Sequence, residues 1–327
     1  MAKGTMKAAA VAATVAAGAL LGAAAVSVAR RHCLQVIRTK HGIARVHVVE
    51  GASGERIRVL SQGGVYQSAS YLGELRFEPV FSYYRGFDIP FSHETPQSVL
   101  LIGGGGFSYP KHLLTSASGV HLDVVELNAA VVRAARHWFF LDELERRLAD
   151  PRTADGNSLR IIVGDGRDLV ERGEGEILST AGAPSVGTRP GFAVEGPGYP
   201  LRSLRAGEII LPRYDAIIND AFAGAEPAPA LATVEAVQAI AGRLAPGGLY
   251  LSNVVSRDGG RDLTFLRDEI ATLLQVFAHI QVIETSDEVW GGEDNYLVVA
   301  SDRAIDLPES IPFGEELLGR ALRDPAA

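Results

Sequence analysis

Cysteine is nearly absent. Cys33 is the only one in 327 residues, so the chain can form no intrachain disulfide and no cysteine-based metal cluster. The eight histidines fall in no HxxxH or comparable ligand spacing, and the expectation is a protein without a metal. Positive charge is also scarce: 31 Lys and Arg against 39 Asp and Glu leave a formal net charge of −8. That balance weighs against a nucleic-acid partner, whose binders usually carry a basic face. What the chain does have is apolar residues, at 47% against 21% charged. Such a composition excludes wholesale disorder and supports one large α/β domain plus a smaller module.

The beginning of the chain reads as a separate object, residues 1–33. From Ala8 to Ala29 there is no charge, with Lys3 and Lys7 before the run and Arg30, Arg31 and His32 after it. As a helix, 22 residues span a bilayer core of about 30 Å, but twelve of them are alanine. Gly18 and Gly22 form a GxxxG pair, a possible close-packing face. Ser27-Val28-Ala29 equally gives the small-x-small pattern of a signal-peptide cleavage site. A retained membrane anchor with a cytoplasmic globular part and an exported, cleaved chain both stand as expectations, beside a disordered or soluble helix.

Residues 34–95 read as a small antiparallel β module of about five strands. Val36-Ile37, Ala44–Val49 and Ile57–Leu60 are β-rich runs punctuated by Gly42, Gly51, Gly54 and Gly63-Gly64. Pro90 and Pro96 bracket a linker. From residue 96 to 305 strand and helix patterns alternate, which predicts a mainly parallel sheet covered on both faces. Strands are expected at Val99–Ile102, Leu122–Val125, Leu159–Val163, Tyr214–Asn219 and Leu249–Val254, the last entered by the turn Pro246-Gly247-Gly248. Ile280–Glu284 and Tyr296–Ala300 close the sheet. Residues 173–212, rich in Gly, Pro and Ser, interrupt this rhythm as an insertion or lid. Residues 306–327 read as a C-terminal tail.

An open parallel sheet binds ligands at the carboxyl ends of its strands, beside the switch in strand order. Gly103, Gly104, Gly105 and Gly106 follow the first strand, where missing side chains let a nucleotide approach the backbone. Glu126 ends the second strand, and its carboxylate can accept both hydrogen bonds from ribose hydroxyls. Asp165, followed by Gly166, comes after the third strand, placed to accept from an adenine amino group. Asp220 ends the fourth, beside the place of a transferred group. Either acid alone reads equally as a helix cap or a solvated charge. Taken in order they indicate a nucleotide, and the GDG and PGG segments favour the adenosyl-methionine class.

The same segments resemble the spermidine synthase family. The resemblance runs from about Val36 to Ala300. It is carried by Gly64-Val65-Tyr66-Gln67-Ser68, Val99–Gly105, Val124-Val125-Glu126-Leu127-Asn128, Gly164-Asp165-Gly166, Tyr214–Asp220 and Pro246-Gly247-Gly248. It implies a Rossmann-like S-adenosylmethionine-dependent methyltransferase fold preceded by a β module. It also implies S-adenosylmethionine or its decarboxylated form as co-substrate, a small-molecule acceptor and an aminopropyl or methyl transfer. Homo-oligomers are common in that family. Gln67 would then contact the nucleotide, Glu126 the ribose and Asp165 the adenine; Asp220 would receive a proton, and Glu78 and Tyr214 would face the substrate. Three departures stand out. The family's GGGDG reads Gly103-Gly104-Gly105-Gly106-Phe107, its DSSDP reads Asp220-Ala221-Phe222-Ala223-Gly224, and its tyrosine-histidine-glutamate run reads Arg76-Phe77-Glu78. A catalytically silent nucleotide-binding or scaffold protein held at a membrane is the alternative expectation.

Overall fold

The computed structural model describes residues 33–182 apart from 52 and 93, then 209–256 apart from 224 and 225, then 262–285 and 295–326. Two sheets organise these residues. The first holds β1 (Cys33–Thr39), β2 (Gly42–Glu50), β3 (Arg56–Gln62) and β4 (Val65–Tyr71), antiparallel and in sequence order. It has four strands where about five were expected. The shortfall lies after Tyr71, where the chain leaves the sheet and turns into the short helix α1 (Tyr83–Gly86) and a single turn at Ile89–Phe91. The segment around Pro90 is thus helical turn rather than plain linker: proline fits the first turn of a helix because its missing N–H has no partner there to lose.

Nine strands form the second sheet. In chain order its elements are β5 (Ser98–Ile102), α2 (Ser108–Ser116), β6 (His121–Glu126), α3 (Ala129–Trp138), α4 (Leu141–Ala149), β7 (Ser158–Val163), α5 (Gly166–Arg172) and β8 (Glu176–Gly182). There follow β9 (Tyr214–Asn219), a small hairpin of β10 (Phe222–Ala223) and β11 (Glu226–Pro227), α6 (Val234–Ala241), β12 (Leu244–Val255), α7 (Thr264–Leu273), β13 (His279–Glu284), β14 (Asn295–Ser301) and β15 (Ser310–Ile311). The spatial order is β15-β13-β14-β12-β9-β5-β6-β7-β8. The five strands from β12 through β7 are parallel, while β14 lies antiparallel between β12 and β13. Strand order reverses between β5 and β9. An α/β Rossmann-like sheet with an antiparallel strand inserted beside the fifth parallel one, and a separate antiparallel module in front, is the fold expected.

Period-two alternation explains why the central strands read as unbroken apolar runs. Val99, Leu101, Leu122, Val124, Ile161 and Ile218 pack on one face, and Leu100, Ile102, Val125, Ile162 and Ile217 on the other. The β module is joined to this body in two ways. Ile37, Ala44, Val46 and Leu60 pack on Val131, Ala134 and Phe139. Lys111 of α2, 1% exposed, donates to Ser70 Oγ of β4 (2.5 Å) and to the Phe139 carbonyl (2.8 Å). Burial pushes its ammonium down to about 7, against the nearby charge of Glu143.

Several local readings change. Helix α4 was not anticipated, although Leu141, Leu144 and Leu148 form its buried stripe. The segment 173–212 begins with an edge strand: β8 pairs antiparallel with β7, and residues 183–208 lie outside the described set. Pro246-Gly247-Gly248 lies within β12 as an interruption of register between Leu244 and Leu249, with Gly247 at φ +74°. The tail is docked. β15 pairs with β13, the Leu322 carbonyl accepts from Val234 N–H (2.9 Å), and Asp324 takes a two-pronged bond from Arg167. The apolar run 8–29, with its anchor and signal readings, lies outside the described residues. Among those described, no helix is long and apolar enough to cross a membrane.

Tyr214, expected to face substrate, is corrected here. It starts β9, at the amino end of the sheet, and is fully buried; its hydroxyl donates to Asp123 Oδ2 (2.6 Å). Arg160 of β7 grips the same carboxylate from both guanidinium prongs. The phenol completes a buried ion pair at the end of the sheet opposite the ligand crevice. Removing one partner of such a pair strands a charge in the core. Asp123→Leu is therefore expected to lose about 3–5 kcal/mol in urea denaturation. The double variant Asp123→Leu/Arg160→Met recovers most of that loss.

Candidate functional site

The carboxyl ends of β5, β6, β7, β9 and β12 open on one cavity of about 370 Å³, closed from above by β3, β4 and the segment before α1. Of the residues expected to bind the nucleotide, Gln67, Gly103, Gly104, Gly105, Glu126, Asp165 and Gly166 all line it. Asp220 lines it too. The turn after β5 is built for close approach. Gly103 has φ +101°, and a side chain there would run into the Asp220 carbonyl. Its N–H donates to the Val125 carbonyl (2.9 Å), while Asp220 N–H donates to the Ile102 carbonyl (2.8 Å). These bonds tie three strand ends together at the reversal of strand order.

Glu126 is 7% exposed and organises the glycine turn itself. Its Oε2 accepts from the N–H groups of Gly104 and Gly105, both at 3.1 Å, and its Oε1 from Asn128 N–H at 2.9 Å. Burial raises its pKa, and the three backbone donors oppose that rise. A carboxylate has about four lone-pair sites; three take these backbone groups, and the Asn128 side chain is hydrogen-bonded to the carboxylate as well. The role read from sequence narrows accordingly: Glu126 shapes the turn first. Asp165 caps α5, its Oδ1 accepting from Arg167 N–H (2.8 Å) and Asp168 N–H (3.4 Å). It is both cap and cavity-lining residue.

Asp220 sits at the centre of a neutral network. Its Oδ1 accepts from Asn253 Nδ2 (2.8 Å) and its Oδ2 from the Tyr83 hydroxyl (3.4 Å); Tyr84 is hydrogen-bonded to it as well. Asn253 Oδ1 in turn accepts from Asn295 Nδ2 (3.2 Å). Burial pushes the Asp220 carboxyl up to about 7, against the pull of these donors. The same carboxylate, after burial, holds the Tyr83 phenol well above its usual value. Tyr83, Tyr84, Asn253 and Asn295 were not singled out from sequence. Asn253 follows the rule that selected Asp220, since it approaches the carboxyl end of a parallel strand. The tyrosines sit in the aromatic run Phe81–Phe87, whose rings pack on one another, Tyr83 and Tyr84 at 4.1 Å between centroids.

Two family positions take different roles. Glu78, expected at the substrate, is exposed and does not line the cavity. It pairs with Arg85 (2.9 Å) and approaches His112 Nδ1 (4.0 Å), whose other ring nitrogen meets Asp88 Oδ2 at 2.8 Å. Glu78 and Asp88 therefore hold the two feet of the arch that carries Tyr83 and Tyr84. At Gly106, a Cβ would lie 2.6 Å from Ser68 Oγ and 3.1 Å from the Phe139 ring. The space that an aspartate would need is filled. Among the described residues no group of His, Cys, Asp and Glu is arranged to hold a metal ion.

Fold and site together define an α/β protein with a glycine turn and three acids at its strand ends, in which a β module lies over the cavity. Comparisons with known proteins bear on that fold. No family model matches the chain. It is similar to polyamine aminopropyltransferase 2 of Hyperthermus butylicus, 23% identical over 238 residues. That match covers 71% of this chain and 61% of the relative, so the chain spans about three-fifths of the relative's length. Among solved structures it is similar to a probable spermidine synthase from Corynebacterium glutamicum (TM-score 0.56, 21% identity, covering 83% of this chain and 81% of the other). A spermidine synthase solved with the transition-state analogue AdoDATO gives a TM-score of 0.55 at 19% identity, covering 85% and 75%. The enzyme from Thermotoga maritima gives 0.53 at 18%, with the same coverage. The resemblance to spermidine synthases read from the residues is borne out, and the shared property is the fold.

Overpacking a filled site costs about 1–3 kcal/mol. Gly106→Asp is expected to lose that much in urea denaturation, and pairing it with Ser68→Gly recovers part of it. Gly106→Asp that folds at undiminished stability would contradict the packing described here.

Proposed function

We propose that the chain is a divergent spermidine synthase-like transferase. It binds S-adenosylmethionine or decarboxylated S-adenosylmethionine and passes a methyl or aminopropyl group to a small-molecule acceptor. The observation that carries this reading is Asp220: a carboxylate with pKa about 7, at the switch point, surrounded by neutral donors and facing the cavity beside the glycine turn. The residues present fit an adenosyl ligand. The glycine turn leaves room for it, Glu126 lines the cavity beside that turn, and Asp165 stands at the neighbouring strand end.

When bound, the nucleotide supplies an electrophilic carbon on a sulfonium. The chain's part is to hold and deprotonate the nucleophile. Asp220 accepts a hydrogen bond from the attacking group and then its proton, and a base with pKa near neutrality is well matched to that task. Asn253 and the Tyr83 hydroxyl keep the carboxylate aimed at the cavity. We place this part of the chain in the cytosol, where S-adenosyl nucleotides are made.

Calorimetry with each nucleotide tests binding. Glu126→Ala is expected to weaken the nucleotide at least tenfold, about 1.4 kcal/mol, because it releases the Gly104 and Gly105 N–H groups as well as the ligand. Indifference of the native chain to both nucleotides would sink the proposal. Asp220→Asn should leave nucleotide binding intact and lower turnover by about a hundredfold or more. Since the ionised carboxylate is the working form, kcat/KM should rise with pH through about 7 and level above it. A profile with no limb near 7, or turnover that survives Asp220→Asn, would remove Asp220 from the chemistry.

A further inference from the structure

The walls of the cavity around Asp220 say more about the acceptor than its nucleophilic atom alone. They are made of Phe81, Tyr83, Phe222, Asn253 and Asn295. Phe81 and Tyr83 stack at 6.0 Å with an interplanar angle of 20°. Both amides and the Tyr83 hydroxyl are neutral, and Asn253, Asn295 and Tyr83 are already engaged with Asp220 or with each other. Among the described lining residues three carry carboxylates. Glu126 is committed to the glycine turn, and Asp165 lies at the end of β7 as the cap of α5. Asp220 alone stands where the acceptor reacts. No lysine or arginine lines the cavity among those residues, so an acidic acceptor meets no fixed counter-charge.

Among the described lining residues a second ammonium on the acceptor finds no partner beside Asp220, and an unpaired buried charge is strongly disfavoured. The three places where the resembling family has further acids do not supply one: Gly106 is packed against Ser68 and Phe139, Ala223 stands at the second aspartate of DSSDP, and Glu78 is turned outward to Arg85. Flat apolar faces, by contrast, are matched by the stacked rings of Phe81 and Tyr83.

Resting on the transferase reading above, we infer that the acceptor is a monoamine with a flat, apolar body, its single nitrogen received by Asp220. The step balances. The lone pair of the neutral amine forms the new C–N bond to the carbon on sulfur, and the C–S bond breaks with its electron pair left on sulfur as a neutral thioether. The proton shed by the nitrogen passes to the Asp220 carboxylate, and the positive charge of the sulfonium is thereby accounted for.

The test is calorimetry on the full chain in two steps. Methylthioadenosine and S-adenosylhomocysteine are titrated first, and phenethylamine, n-butylamine and putrescine are then titrated into the nucleotide-loaded protein. n-Butylamine and putrescine have the same four-carbon chain and differ by one ammonium. Phenethylamine is expected to bind tightest, and n-butylamine about tenfold tighter than putrescine. Putrescine binding as well as n-butylamine, or no amine binding the loaded protein, overturns the acceptor assignment and leaves the nucleotide reading standing. Failure of both nucleotides in the first step takes down the transferase reading, and this assignment with it. Phe81→Leu should weaken phenethylamine about tenfold while the affinities for n-butylamine and nucleotide hold. A uniform loss for all three would make Phe81 a structural residue and overturn the aromatic part of the inference.

Discussion

Two adjacent parallel strands whose loops leave in opposite directions must be held together at the point of divergence, and the site depends on how this chain does it. Asp220 N–H donates to the last carbonyl of β5, and the Asp220 carbonyl fills the space beside Gly103 in which any side chain would sit. The two loops are therefore locked in contact at the backbone. The glycine turn and the catalytic candidate cannot move independently, and the carboxylate of Asp220 is presented to whatever lies against that turn. Position 103 is closed to every residue with a Cβ on two counts, the positive φ and the carbonyl.

The two cavity carboxylates with resolved pKa shifts show how burial can be put to different uses. Both are pushed toward the protonated form by desolvation. Glu126 answers with three backbone N–H donors, which stabilise the anion and, in return, fix the shape of the turn. Asp220 receives side-chain donors instead, one amide and two phenols, and its pKa settles near neutrality. Phenols beside a carboxylate are themselves held in the protonated form, so the network has one titrating member in the neutral range. A buried acid tied to backbone serves architecture; one tied to mobile hydroxyl protons is suited to exchanging a proton.

Much of this was legible in the sequence because local signals and the sheet's geometry agree. An apolar run followed by glycines, and acids at the ends of later runs, place Glu126, Asp165 and Asp220 in one crevice. What was missed has physical reasons. Helix α4 follows α3 with only Phe139 and Phe140 between them, Phe140 in the left-handed region, so no glycine or proline marked the break. Strand β8 is an exposed edge and lacks the apolar character of the inner strands. Tyr83 and Tyr84 come from outside the sheet, and nothing in their local pattern distinguishes a cavity wall from a core. Tyr214 was misplaced because a motif match says which strand a residue is on and not which end of that strand reaches the ligand.

The departures from the resembling family are not independent of one another. Where Gly106 stands, Ser68 and Phe139 close the gap, and Ser68 is itself fixed by Ser108 and by its contact with Tyr84. Tyr84 belongs to the arch whose feet are Glu78 and Asp88, both drawn to His112. The residue that would have been a substrate acid thus helps hold the tyrosines over Asp220, and those tyrosines pack toward the serine that fills the place of the missing aspartate. Restoring an acid at 106 would press on Ser68, and releasing Glu78 from Arg85 would loosen the arch. Aromatic, hydroxyl and ion-pair contacts are interlocked where the resembling family has separate acids. On the transferase reading, these contacts make a different acceptor pocket rather than a polyamine site with pieces removed.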